Sequence, residues 1–263
     1  MRPRREARVR RVAIAVFGIG LLGCEGADSL QIGAAIEPLH GSRYTELDTA
    51  LAADETNPAF LRRHAEINSL PDRDRIELVF LGDSITQRWE SAGRFVWNQR
   101  YAGRGGANFG IDGDRTQNVL WRIEHGNFDG MRPLAVVLLI GTNNTYEASD
   151  ADVVRGVLAV VDMLHAQLPE TRILVLGLLP RNRNPNAHIR ARIGAINAQL
   201  AERAPRPRVA FLDIGATFLE PDGTLSAEVM PDALHLGPRG YTLWAEAIEP
   251  SLSCLLANLS PPC

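Results

Sequence analysis

No lysine occurs anywhere in the 263 residues: all 28 basic positions are arginine, set against 31 acidic ones for a formal net charge of -3. The missing lysine reads as compositional bias of the source genome before any electrostatic purpose. The slight negative balance excludes the basic stripe of a nucleic-acid binder, so no nucleic-acid partner is expected. Cysteine is scarce, at three residues. Neither paired C-x-x-C nor H-E-x-x-H spacing is present, so these zinc-site patterns are excluded and no metal is expected. Internal repeats, low-complexity tracts and a second composition zone are also missing. What remains is ordinary for one globular domain, 45% hydrophobic and 22% charged.

The N-terminus differs in kind. Met1 to Arg11 (MRPRREARVRR) is intensely basic, and Val12 to Gly23 (VAIAVFGIGLLG) is purely apolar. The apolar run stops well short of the ~20 residues of a spanning helix. A basic n-region, a short h-region and a small residue before a break read as a secretory signal peptide over residues 1–23, in preference to a buried helix. The break, Leu21-Leu22-Gly23-Cys24, resembles the lipobox of bacterial lipoproteins, which predicts lipidation at Cys24 and membrane attachment through that lipid. Export permits disulfides, and Cys254 and Cys263 are expected to pair. Residues 24–55 read as a tether and N-terminal extension, and 56–263 as the folded domain.

Within the domain, apolar β-like runs at Ile76–Leu81, Ala107–Phe109, Leu134–Ile140, Ile173–Leu179 and Val209–Leu212 alternate with helical stretches. The helices are expected at Gln117–Glu124, Asp152–Gln167, His188–Arg203 and Tyr241–Leu256, with another opening at Asn57-Pro58. Such alternation predicts an α/β fold, a parallel sheet covered on both faces. Ligands in such sheets bind beyond the carboxyl ends of the strands. Chemistry-bearing residues collect there: Gly82-Asp83-Ser84, Gly110 in NFGIDGDRT, Gly141-Thr142-Asn143-Asn144, and Asp232-Ala233-Leu234-His235.

A serine becomes a nucleophile when a histidine takes its proton, and a carboxylate then orients and stabilises the imidazole. Ser84, His235 and Asp232 supply the three types, with Asp232 one turn of chain from His235. Acyl transfer also needs donors aimed at the developing oxyanion. The N–H groups of Ser84 and Gly110 and the side-chain amide of Asn143 are suitable. The α/β-hydrolase elbow G-x-S-x-G does not fit, because Thr86 stands at its second glycine.

These motifs, GDS, NFG, GTNN and DALH in order, resemble the SGNH (GDSL-type) hydrolases. NFGIDGDRTQNVLWRI, LGLLPR and LHLGPRGY extend the likeness to the catalytic subunits of intracellular platelet-activating factor acetylhydrolase, from about Ile76 to Pro250. The resemblance implies a flavodoxin-like three-layer α/β/α sandwich with five parallel strands, and no cofactor or metal. It implies Ser84 as nucleophile, His235 as base and then acid, Asp232 as its orienter, and Ser84, Gly110 and Asn143 as the oxyanion hole. Bulky Ile85 and Leu234 are expected to close the acyl pocket after a short group. Asn144 replaces the aspartate of many members, as in the acetylhydrolase branch.

The function expected is an exported serine esterase for short acyl esters, acetyl foremost, with carbohydrate O-acetyl groups as a target. Its alternatives are a phospholipid or lysophospholipid acyl hydrolase and a catalytically silent envelope-binding module. Asp83 is expected to hold its turn, and Asp112, Asp114 and Arg115 to stabilise a loop or touch substrate. Trp89, Trp97, Trp121 and Trp244 read as core packing ahead of a sugar surface, and His64 as a packed histidine.

Overall fold

The structure, a computed structural model, describes residues 57–257. The expected leader, the tether, Cys24 and Cys263 lie outside the described residues. Asn57 caps the first helix, α1 (Pro58–Asn68), by accepting from the Ala59 and Phe60 N–H groups at 3.0 and 3.3 Å, with Pro58 at the first helical position.

All five expected strands form: β1 (Leu78–Gly82), β2 (Gly106–Gly110), β3 (Ala135–Leu139), β4 (Arg172–Leu176) and β5 (Val209–Leu212). They pair in parallel in the order β2-β1-β3-β4-β5, with Gly82 opposite both Gly110 and Leu139. The chain steps from β1 outward to β2 and then back to β3 on the other side. The carboxyl ends of β1 and β3 therefore flank a topological switch point.

The connecting helices are α2 (Ser84–Gln87), α3 (Arg94–Arg100), α4 (Thr116–Arg122), α5 (Asp150–Gln167), α6 (His188–Arg203) and α7 (Pro238–Leu256). Alternate strand residues feed two separate cores, as the two-residue period of a strand requires. Val79, Leu81, Val136, Leu138, Ile173 and Val175 pack with α1, α4, α5 and α6. Leu78, Phe80, Val137, Leu139, Leu174 and Leu176 pack with α3 and α7 on the opposite face. This is the three-layer sandwich.

Trp89, Trp97 and Trp244 belong to the second core, clustered around Phe80 with Tyr101 and Tyr241 at ring separations of 4.5 to 6.2 Å. Trp121 stacks on His125 at 4.0 Å on the other face. Core packing accounts for all four. His64 is buried too, beside Asn68 and Asn127, and burial lowers the pKa of its imidazole. Cys254, in α7, is disulfide-bonded.

Candidate active site

The Gly82-Asp83-Ser84, Gly110 and Gly141-Thr142-Asn143-Asn144 motifs follow the carboxyl ends of β1, β2 and β3, whereas Asp232-Ala233-Leu234-His235 lies well past β5, in the loop that enters α7. A side chain on Gly82 would place its Cβ 2.2 Å from the Leu139 carbonyl oxygen and 2.3 Å from Thr86 Oγ1. Only glycine lets β1 end this close to β3 and α2. Asp83 then caps α2: its Oδ1 accepts the Ile85 N–H at 2.9 Å, while Oδ2 is buried without a partner. Ser84 opens the helix, so its N–H is one of those that helix geometry leaves without an intrahelical acceptor. Tyr241 secures the turn from α7 by donating to the Ile85 carbonyl at 2.6 Å.

Ser84 Oγ lies 3.0 Å from His235 Nε2, and His235 Nδ1 lies 2.7 Å from Asp232 Oδ2. The local fold that allows this is a turn through Ala233, whose φ of 60° is left-handed and uncommon for a residue with a Cβ. It lets Asp232 Oδ1 accept from the Leu234 and His235 N–H groups at 3.0 and 2.7 Å while Oδ2 reaches the ring. Burial acts to raise the Asp232 carboxyl. The hydrogen bonds from His235 N–H, the His235 ring and Leu234 N–H outweigh it and bring the pKa down to about 2. An ionised carboxylate there makes Nδ1 the donor and leaves Nε2 free to accept from Ser84.

The oxyanion residues are held by a buried frame. Asn143 Nδ2 donates to the Asp114 carbonyl at 2.8 Å, which spends one of its two amide hydrogens and fixes the other. Gly110 departs from the expectation of a free donor, because its N–H donates to Asn108 Oδ1 at 2.9 Å. Asn144 joins this loop to α4, accepting from Thr116 N–H at 3.0 Å and donating to Gln117 Oε1 at 2.8 Å.

Behind these loops lies Arg122, fully buried at 0% exposure. It donates to the Phe109 carbonyl at 3.0 Å, to the Gly82 carbonyl at 3.3 Å and to Asn127 Oδ1 at 2.8 Å. Its Nη2 also sits 2.6 Å from Asp114 Oδ2, a charge contact without hydrogen-bond alignment. Sequence reading missed this residue, since an arginine in an amphipathic helix looks like surface. Burial, with the Asp112 charge adding to it and the Arg122 cation opposing it, pushes the Asp114 carboxyl up to about 7. Asp83 is likewise raised to about 7 by burial first and by the charges of Asp114 and Asp112. Arg115 instead pairs with Glu147 at the surface.

A cavity of about 260 Å³ reaches Ser84 and is lined by Gln87, Arg88, Glu90, Ser91 and Asp112. A second, of about 600 Å³, lies against Asp232, Ala233 and Leu234. Neither of these two cavities is lined by both Ile85 and Leu234. Leu234 lines the larger cavity, whereas Ile85, at 2% exposure, points into the core with Trp89. Among the described residues, no group of three or more His, Cys, Asp or Glu side chains could hold a metal ion.

The family model of GDSL-like lipases and acylhydrolases matches residues 80–243. Subunit alpha1 of platelet-activating factor acetylhydrolase IB from Homo sapiens is 40% identical over 183 residues, covering 69% of this chain and 78% of that protein. A GDSL-like lipase from Bacteroides thetaiotaomicron superposes with a TM-score of 0.61 at 18% identity, over 76% of this chain and 98% of the other. An acetylxylan esterase from Geobacillus stearothermophilus has a TM-score of 0.52 at 20% identity, over 66% and 94%. At those identities the two structures attest the fold.

Proposed function

The chain belongs to the GDSL-like lipase/acylhydrolase family and is thereby a carboxylic ester hydrolase, and from that premise we propose that it cleaves short acyl esters, acetyl foremost, through an acyl-enzyme on Ser84. The observation that carries this is the continuous relay of 3.0 and 2.7 Å from Ser84 through His235 to Asp232. Ser84 Oγ attacks the ester carbonyl carbon while its proton passes to His235 Nε2. The carbonyl π pair moves onto oxygen, and the oxyanion takes the Ser84 N–H and the second amide hydrogen of Asn143, with the Gly110 N–H shared with Asn108. Collapse breaks the bond to the alcohol oxygen, which leaves with the proton from Nε2. Water then repeats the sequence on the acyl-serine, releasing the acid and restoring Oγ–H. Asp232 stays ionised throughout and stabilises the imidazolium.

For the natural ester, O-acetyl groups on carbohydrate suit an envelope enzyme, and the basic leader and Leu21-Leu22-Gly23-Cys24 support export with lipid attachment at Cys24. The 40% identity to platelet-activating factor acetylhydrolase subunits favours a second reading, an acetyl ester of the kind those relatives are named for.

The test is Ser84→Ala. It is expected to abolish covalent labelling by a fluorophosphonate and to lower turnover of p-nitrophenyl acetate by roughly 10⁶, the scale of a lost triad serine. Labelling that persists in the variant would overturn the mechanism.

A further inference from the structure

The larger cavity is lined by a cation, Arg181, that has no carboxylate partner among the described residues. Arg181, in the segment between β4 and α6, is only 8% exposed. Its Nη2 donates to Thr145 Oγ1 at 2.6 Å, and its Cζ lies 4.2 Å from the centre of the Tyr146 ring. Its Nη1 is buried with no hydrogen-bond partner. The acidic residues that adjoin Thr145, Tyr146 and Ala233 along the chain are committed elsewhere: Glu147 pairs with Arg115, Asp150 with Arg192, and Asp232 with His235 and Arg88. Arg183 lines the same cavity and donates only to the carbonyls of Leu225 and Pro231. Two guanidinium groups thus line about 600 Å³ of space, with no carboxylate paired to either among the described residues.

A buried cationic donor without a partner costs stability, and the planar fork of arginine matches a carboxylate or phosphate. Tyr146, 64% exposed on the turn that begins with Asn143, offers the free face of its ring beside that fork. The one carboxylate in the lining, Asp232, already has its charge shared with His235 and Arg88.

We propose that this cavity is a subsite for an anionic group, carboxylate or phosphate, on the alcohol half of the ester, received by Arg181 and Arg183 with Tyr146 packing against the ring or chain that carries it. The inference rests on the acetyl-esterase reading above. An acetyl group has nothing further to recognise, so selectivity falls to the alcohol, and proton return from His235 places the leaving oxygen on the imidazole side, towards Asp232 and Leu234.

The experiment compares two matched pairs: an O-acetyl methyl glucuronoside against the O-acetyl methyl glucoside, and acetylglycerol phosphate against acetylglycerol. In wild type the charged member of at least one pair is expected to lead in kcat/KM by on the order of ten- to a hundredfold, the scale of one or two charge-assisted hydrogen bonds, and the lead is expected to shrink with added salt. A lead confined to the glucuronoside identifies an acidic saccharide, and one confined to the phosphate identifies a glycerol phosphate ester; either supports the subsite. Arg181→Gln and Arg183→Gln are expected to reduce the charged-to-neutral ratio. Because the ratio is read within one protein, partial loss of folding or turnover cancels. Equal kcat/KM within both pairs in wild type, or an unchanged ratio in both variants, overturns the subsite. Absence of p-nitrophenyl acetate turnover and of Ser84 labelling in wild type would instead overturn the esterase reading.

Discussion

Replacing Gly110 by alanine is expected to move the nucleophile. A Cβ there would lie 2.1 Å from Gln87 N, 2.6 Å from Gln87 Cα and 2.6 Å from the Thr86 carbonyl carbon. These are backbone atoms, so no side-chain rotation relieves the overlap. Strand β2 has little freedom to recede, since Gly110 pairs with Gly82 and Arg122 holds the Phe109 carbonyl at 3.0 Å. The four residues of α2 must give way instead, by about an ångström, and Ser84 travels with them. Its 3.0 Å contact with His235 Nε2 cannot survive such a shift in hydrogen-bond geometry. A misplacement of that size lowers kcat/KM by ~10²-fold, with an overpacking cost of ~1–3 kcal/mol. The assay pairs p-nitrophenyl acetate kinetics with urea unfolding, and takes Gly103→Ala, whose Cβ would meet nothing within 4 Å, as the control. Wild-type kcat/KM in Gly110→Ala would refute the argument that close packing of β2 on α2 positions Ser84.

Arg122→Met strips Asp114 of its buried cation and is expected to cost ~3–5 kcal/mol in urea unfolding; a loss below ~1 kcal/mol would mean the frame is dispensable. Asp83, raised to about 7 by burial first, binds a proton more readily folded than unfolded, where aspartate titrates near ~3.9. Stability should therefore fall as pH rises between those values. Asp83→Asn removes that dependence, so its Tm should gain on wild type between pH 4.5 and pH 8, and a constant difference would contradict the assignment. The cavity that reaches Ser84 is lined by polar side chains, so a longer acyl chain should not collect the ~0.8 kcal/mol per buried CH₂ of an apolar tunnel. In a p-nitrophenyl ester series, acetyl and propionyl are expected ahead of butyryl and far ahead of octanoyl; an octanoyl preference would point to a lipase-like pocket.

The parts legible in the sequence share a physical reason. Central parallel strands are buried on both faces, so they appear as near-continuous apolar runs, and β1, β3 and β4 could be read within a few residues. Ser84 and Asn143 were legible because strand ends concentrate chemistry, and His235 because Asp232 stands one turn of chain before it. Helix α3 (Arg94–Arg100) was not expected, because seven residues with Phe95 out and Val96 in carry too little period to register. Ile85 follows Ser84 directly, yet a helix turns successive side chains by about 100°, so its side chain is buried in the core with Trp89. Arg122 and Arg181 were hidden for a related reason. Charge predicts exposure on average, and an arginine buried beneath a catalytic loop is recognisable only once its acceptors, the carbonyls of Gly82 and Phe109 or the hydroxyl of Thr145, are in place around it. The acceptors come from β1, from β2 and from the loop after β3, segments that only the folded sheet brings together. Pattern along the chain therefore locates the reacting atoms, while the groups that hold and select around them depend on contacts between distant segments.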